Sequence, residues 1–263
     1  MNESNTPLLI GILQTDSVRP EFRDRHGDYP DMFRALLTRA AREAAAGPVA
    51  FEEYDVQHGE YPSDPGECDG YVITGSRDSV YDDLPWIARL SDYVRLLHQR
   101  RHKLIGVCFG HQLVAQALGG ETLAAAGGWA VGVHDSEVMV ARPWMQPSSG
   151  RFALLSSHQD QVTKLPQEAD LLARNSFCPV AAFGIGDHIL AIQGHPEFEK
   201  PYAEALLRFR RERLGEAVFE AGLASLERPT QQSLIGQWML AFLRFGAAPL
   251  PDSGDEGEPT GEG

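Results

Sequence analysis

The stretch Leu104-Ile105-Gly106-Val107-Cys108-Phe109-Gly110-His111-Gln112-Leu113 decides the reading of this chain. A short apolar run enters Gly-X-Cys-X-Gly, and residues of helical apolar spacing leave it, which places Cys108 at a strand-to-helix turn. A side chain at such a turn takes strained backbone angles, and glycines two residues before and after accommodate the turn because they lack a Cβ. The turn holds the sulfur at a helix N-terminus, where partial positive charge favours a thiolate nucleophile. A lone cysteine after a strand is more often a small buried hydrophobe. The two flanking glycines favour the nucleophile reading for Cys108, whereas Cys68 and Cys178 have no such frame and are expected to be structural.

Far downstream, Gln193-Gly194-His195-Pro196-Glu197-Phe198 follows another apolar run. Pro196 biases His195 toward extended backbone, and residues two apart on an extended segment project to the same side. One tripeptide therefore presents an imidazole and a carboxylate together, and with Cys108 they form a candidate Cys-His-Glu hydrolytic triad. In such chemistry a thiolate attacks a carboxamide carbonyl, expels ammonia or an amine, and leaves a thioester that water hydrolyses. His195 would move the protons and Glu197 would fix the imidazole's tautomer. His158, in Ser156-Ser157-His158-Gln159-Asp160, is the rival base, but it lacks a carboxylate set at a rigid offset by proline. The tetrahedral intermediate needs an oxyanion hole, for which the Phe109 N–H and a second donor near Gly75 are candidates. Gly75 can equally be an ordinary strand-terminating turn.

Outward from the elbow, strands alternate with helices. Apolar runs at Leu8–Leu13, Phe51–Val56, Gly70–Thr74 and Lys103–Val107 predict strands. Helical spacing predicts helices over Tyr29–Ala46, Pro85–Gln99 and Phe109–Leu118. This alternation predicts an α/β fold, an open and mostly parallel twisted sheet with helices on both faces, with ligands at the carboxyl ends of the strands. After the elbow helix, short runs at Glu137–Ala141, Ala153–Ser156, Asp170–Arg174, Pro179–Phe183 and His188–Gln193 predict antiparallel additions. Gly184-Ile185-Gly186-Asp187 lies between two of them and reads as a hairpin turn in preference to a phosphate loop, since no helix follows. From Pro201 the chain is again helical. One domain over residues 1–246 is expected, with a catalytic core of about 8–200 and C-terminal helices over 201–246.

Composition narrows the function. In 263 residues, 43% hydrophobic and 9% aromatic content suffices for a core, and the net charge of −14 offers nucleic acid no general attraction. Five acids (Asp252, Asp255, Glu256, Glu258, Glu262) fall in the last twelve residues, so 247–263 is expected to be a disordered acidic tail. The polar N-terminus and strand-length apolar run after it predict neither signal peptide nor membrane anchor, hence a cytoplasmic protein. Three scattered cysteines without a Cys-X-X-Cys pair argue against disulfides and structural zinc, so no metal site is expected.

The elbow Gly106-Val107-Cys108-Phe109-Gly110-His111-Gln112, with Ile73-Thr74-Gly75-Ser76, Ser157-His158-Gln159-Asp160 and Gly194-His195-Pro196-Glu197-Phe198, resembles in order and spacing the class I (triad) glutamine amidotransferases. The resemblance covers roughly residues 8–200 and is greatest to stand-alone members related to the glutaminase domain of GMP synthetase, a group that includes γ-glutamyl peptidases. It implies the roles read above for Cys108, His195 and Glu197, an oxyanion hole at Gly75 and Phe109, and substrate contacts from Gln112, Ser157 and His158. It also implies the family's open α/β sandwich, a small-molecule glutamine or γ-glutamyl substrate, and no cofactor. No synthetase domain follows the amidotransferase portion. The expected function is therefore a hydrolase of glutamine or a γ-glutamyl amide or peptide. The alternatives are a glutaminase subunit serving a separate synthetase chain and a non-catalytic regulatory protein. The extended stretch from Arg77 to Trp86, acidic at Asp78, Asp82 and Asp83, overlooks the proposed site and either sets leaving-group preference or is simply a solvated loop.

Overall fold

A computed structural model describes residues 6–245. The expected acidic tail at 247–263 lies outside the described residues. Strands β1 (Leu8–Gln14), β2 (Val49–Asp55), β3 (Gly70–Ile73) and β4 (Lys103–Val107) alternate with helices α1 (Pro20–His26), α2 (Tyr29–Glu43), α3 (Pro85–Gln99) and α4 (Phe109–Ala117). There follow β5 (Glu121–Ala124), β6 (Ala130–Val138), β7 (Arg151–His158), β8 (Asp160–Lys164), β9 (Ala169–Arg174), β10 (Ala182–Ile185) and β11 (Ile189–Ile192). The described chain closes with α5 (Lys200–Phe209), α6 (Arg211–Leu214), α7 (Glu216–Ser225) and α8 (Gln232–Arg244).

Nine strands form one sheet in the order β2-β1-β3-β4-β11-β10-β9-β6-β7. The first five run parallel, and the four beyond β11 are added antiparallel, as the change of texture after the elbow predicts. Alternation along the strands assigns side chains to opposite faces. Ile10, Ile12, Val72, Ile105 and Val107 pack beneath α2 and α8, while Leu13, Tyr71, Ile73 and Leu104 pack beneath α3 and α4. Further along the sheet, α5 and α7 cover Val131, Val133, Ala153 and Leu155. Helices therefore lie on both faces, as expected.

Two sequence expectations need correction, and three elements were not anticipated. The strand expected at Glu137–Ala141 is the end of β6, which begins at Ala130; Gly132 and the buried Ser136 interrupt its apolar pattern, and Met139 and Val140 lie beyond its end. The strand expected over Pro179–Phe183 begins only at Ala182. Strands β5 and β8, which pair in a separate two-stranded sheet, and helix α1 were not anticipated. Each of these strands buries a single side chain and α1 buries none, so none carries a hydrophobic period. The glycine-containing segment 184–187 is a hairpin: Ile185 pairs with Ile189, and Gly186 turns the chain at φ 54°.

The order reverses at β1, which is flanked by β2 on one side and β3 on the other, so the connections leave opposite ways and open a crevice at the carboxyl ends. Thr15 and Asp16 follow β1, Thr74 and Gly75 follow β3, Cys108 follows β4, and Gln193 to His195 follow β11. Register keeps these ends level, with Leu13 beside Ile73, Ile73 beside Gly106, and Val107 beside Ile192.

The elbow depends on backbone approach. A Cβ at Gly106 would stand 2.5 Å from the Gly110 carbonyl oxygen, and one at Gly110 would stand 2.6 Å from that of Ile73. We expect Gly106→Ala to lower stability by about 1–3 kcal/mol, read as a lower urea midpoint. Gly150→Ala, where a Cβ meets nothing within 4 Å, is expected to leave the midpoint nearly unchanged.

Candidate active site

Cys108 has φ 52° and ψ −100°, and α4 begins at the next residue. Cys108 lines two clefts, and its N–H still bonds the Ile192 carbonyl at 2.9 Å and keeps the turn in register with β11. The first N–H groups of a helix have no partner within it, so the Phe109 N–H is available to a bound group beside the sulfur.

His195 arrives from the other side. Its N–H bonds the Leu155 carbonyl at 2.8 Å, which pins the segment after β11 to β7. Its ring stacks on Phe198 with centroids 3.8 Å apart. Nδ1 lies 2.7 Å from Glu197 Oε1, as the extended His-Pro-Glu geometry predicts. Because a carboxylate only accepts, Nδ1 carries the proton and Nε2 is left to face elsewhere. Gly75 adjoins both the ring and Cys108: a Cβ there would meet His195 Cε1 at 3.2 Å and Cys108 Cβ at 3.7 Å. Burial alone favours the neutral imidazole, but the charge of Glu197, then the interaction with Cys108, reverses this and holds the His195 pKa well above the usual imidazole value. Glu197 is buried, and its Oε2 has no hydrogen-bond partner among the described residues, which leaves His195 as its one hydrogen-bonding group.

His158 is buried nearby in a different state. Its Nδ1–H donates to the Asp160 carbonyl at 3.0 Å, and burial pushes its pKa down to about 3. It is neutral across the working range and is committed to shaping the β7–β8 connection. Gln112 is buried too, donating to the Asp160 carbonyl at 2.8 Å and the Gln193 Oε1 at 3.1 Å. Ser157 Oγ accepts from Arg210 Nη1 at 2.5 Å.

All eight residues expected at the site thus fall within one region. Two clefts meet at Cys108. One, of about 40 Å³, is lined by Gly75, His195 and Phe198 among others. The other, of about 410 Å³, is lined by Gln112, Ser157 and His158. The loop after β3 borders both through Ser76 and Arg77 and reaches the second through Asp78 and Ser79, whereas Asp82 turns back to accept from the Ser79 N–H. Ser79 and Tyr81 tie the loop to Asp160, at 2.6 and 3.0 Å. The two other cysteines are interior: burial pushes the Cys178 thiol up to about 12, and its Sγ donates to the Val180 carbonyl. Among the described residues, no cluster of three or more His, Cys, Asp or Glu side chains is placed to hold a metal ion, and no helix is long and apolar enough to cross a membrane.

Sequence reasoning missed the groups that hold Gly75 in place. Thr15 Oγ1 lies 2.9 Å from the Gly75 carbonyl and 3.0 Å from Thr74 Oγ1. Next to it, the buried Asp16 carboxylate takes two hydrogen bonds from the Arg77 guanidinium, at 2.7 and 2.8 Å, and one from the Arg77 N–H. The signal was available: Thr15 and Asp16 are polar residues directly after a buried parallel strand, where ligands bind.

The family model for class-I glutamine amidotransferases matches residues 27–210. Gamma-glutamyl peptidase 4 of Arabidopsis thaliana is 32% identical over 182 residues, covering 66% of this chain and 70% of the relative. A glutamine amidotransferase-like protein of Schizosaccharomyces pombe is 29% identical over 248 residues, covering 89% and 98%. The crystal structure of a glutamine amidotransferase from Thermotoga maritima superposes with a TM-score of 0.67 at 18% identity, over 89% of this chain and 96% of that one, a likeness of fold. With a model match over most of its length and this fold beneath it, the chain belongs to the class-I glutamine amidotransferase family.

Proposed function

We propose that the chain is a cysteine-dependent amidohydrolase that cleaves the γ-carboxamide of glutamine or the γ-amide bond of a γ-glutamyl peptide. The observation that carries this reading is the buried His195–Glu197 pair, 2.7 Å apart, beside a cysteine on a strained strand-to-helix turn. Support for the γ-glutamyl part comes from the similarity to Arabidopsis proteins named gamma-glutamyl peptidases. We place it in the cytoplasm, where a thiolate nucleophile stays reduced.

In the first step Cys108 Sγ attacks the γ-carbonyl carbon, and the electron pair of the C=O moves to oxygen. The Phe109 N–H, with a second donor at Gly75, receives that oxyanion. The His195 imidazolium gives its Nε2 proton to the departing nitrogen, the C–N bond breaks, and ammonia or an amine leaves. The thioester remains. His195, now neutral, takes a proton from water, whose oxygen attacks the thioester; the C–S bond breaks, glutamate is released, and the Cys108 thiolate and His195 imidazolium are restored. Glu197 retains Nδ1–H throughout and stabilises the imidazolium, which is orientation and electrostatics without proton transfer. Gln112 and the Ser157-His158 segment would shape the glutamyl subsite, Gln112 and His158 acting through the Asp160 backbone they hold.

A second reading is a glutaminase chain that delivers ammonia to a separate synthetase chain. The observation in its favour is 34% identity over 114 residues, 43% of this chain and 61% of the relative, to a glutamine-hydrolyzing GMP synthase subunit of Methanothermobacter thermautotrophicus. The two readings separate in one assay. The isolated chain should hydrolyse a γ-glutamyl amide or peptide without ATP, nucleotide or metal. Inertness toward all of them, with glutaminase activity appearing when a synthetase chain is added, would replace the first reading by the second.

Residue roles predict distinct outcomes in steady-state assays. Cys108→Ala should abolish turnover, and His195→Ala should lower kcat by about 10³-fold or more, because such residues act as a unit. His158→Ala should be the milder change of the two histidines; the reverse order would move the base to His158. Peptide mapping after brief iodoacetamide treatment should find the label on Cys108, with Cys68 and Cys178 unmodified. Labelling of Cys178 at a similar rate would count against the assignment.

The pH profile gives a further test. With His195 raised by its neighbours, the protonated imidazole persists above the ordinary histidine range and is lost as pH rises through that raised value. Glu197→Gln removes a raising charge, so the alkaline limb of kcat/KM should move to lower pH. A limb that stays in place would show that the Glu197 charge does not govern His195.

A further inference from the structure

Four arginines line the two clefts at Cys108: Arg19, Arg77, Arg210 and Arg213. Arg77 is neutralised by Asp16. The other three form no ion pair among the described residues, in a chain where 37 Asp and Glu outnumber 23 Lys and Arg. Arg210 is the innermost. It is half-buried at the end of α5, borders both clefts, and donates to Ser157 Oγ at 2.5 Å. Tyr29, Tyr202, Cys108 and Arg213 act on its charge, and the carboxylates that line the same clefts are Asp16, paired with Arg77, and Asp78 and Asp160. Burial, and to a lesser degree Arg213, works against its charge.

Aromatic faces hold these cations in position. The guanidinium carbons of Arg210 and Arg213 stand 5.2 and 4.9 Å from the centre of the same Trp129 ring, and that of Arg19 stands 4.3 Å from the Phe209 ring. Such contacts orient a guanidinium but leave its charge in place. Two like charges over one indole repel each other, and an anion placed between them relieves that repulsion. Three guanidiniums against Asp78 and Asp160 leave this cleft positive beside the candidate nucleophile in a strongly negative chain, which favours anionic ligands at that point.

We propose that Arg210, assisted by Arg213 and Arg19, binds a carboxylate of the substrate, so that the site selects γ-glutamyl compounds by an anionic group as well as by the scissile amide. This rests on the γ-glutamyl reading above. A guanidinium fork matches the two oxygens of a carboxylate, and partial burial strengthens the pairing. A γ-glutamyl peptide offers two such groups, the α-carboxylate of its glutamyl part and the terminal carboxylate of the leaving peptide. Arg210 borders the clefts that would hold either.

The test compares kcat/KM for three substrates: γ-glutamylglycine, which has both carboxylates, γ-glutamylmethylamide, which lacks the terminal one, and 4-aminobutanoylglycine, which lacks the α-carboxylate. In Arg210→Gln the preference of the parent for γ-glutamylglycine over one of the other two should fall by about tenfold or more, and the ratio that falls identifies the carboxylate bound. Arg210→Lys should restore part of that preference, and Arg213→Ala should lower it in the same direction. Equal losses on all three substrates, or no loss, would overturn the proposal, since a merely structural role does not discriminate among them. Should the parent hydrolyse none of the three, the γ-glutamyl reading fails, and the carboxylate site is read separately by calorimetric titration of γ-glutamylglycine into Cys108→Ala. There, binding weakened about tenfold or more by adding Arg210→Gln supports the site, and unchanged or absent binding overturns it.

Discussion

At Cys108 the backbone takes φ 52° and ψ −100°, a region in which a side chain bearing a Cβ is strained by about 1–3 kcal/mol. The turn survives because the structure around it over-determines it. On one side, β4 is buried along its whole length and hydrogen-bonded to β3 and β11. On the other, α4 buries eight of its nine residues. Between them the chain reverses within one residue, which is possible only because Gly106 and Gly110 let backbone approach backbone where a methyl group would collide. Sheet register, the seat of α4 and the direction of the sulfur are therefore one problem with one solution.

The same constraint organises the histidines. His195 and His158 are both buried, each lining a cleft that Cys108 also lines, yet their surroundings drive them to opposite charge states. Low polarity penalises both imidazolium forms, and only a specific partner reverses the penalty. His195 has that partner in Glu197, which is itself buried with no other hydrogen bond among the described residues. His158 has a backbone carbonyl, which accepts a proton's hydrogen bond without supplying a full charge. Two chemically identical side chains thus become a raised imidazole suited to proton transfer and a neutral fixed strut.

Charge is also distributed by the fold in a way that composition hides. A net charge of −14 describes an acidic protein, yet Arg19, Arg210 and Arg213, without an ion pair among the described residues, line one cleft together with Asp78 and Asp160. Residues from six places in the chain make that cleft: Arg19 before α1, the loop after β3, the elbow with Cys108 and Gln112, Trp129 before β6, the β7–β8 connection, and the α5–α6 region carrying Arg210 and Arg213.

What the sequence determined by itself was local. Strands β1, β3 and β4, helices α3 and α4 and the elbow were legible because each has a period or a steric requirement carried by residues close together, and His195 with Glu197 because proline fixes their offset. Those features named the family's fold and the nucleophile, base and carboxylate candidates. Strands β5 and β8 were not legible, since each buries one side chain and owes its existence to pairing with the other. The roles of Thr15, Asp16 and Arg77 around Gly75, and the cluster of Arg19, Arg210 and Arg213, were decided only by the tertiary structure. Contact between residues more than fifty positions apart leaves no periodic trace in the chain, and the charge state of a buried group depends on neighbours that only folding brings within hydrogen-bonding distance.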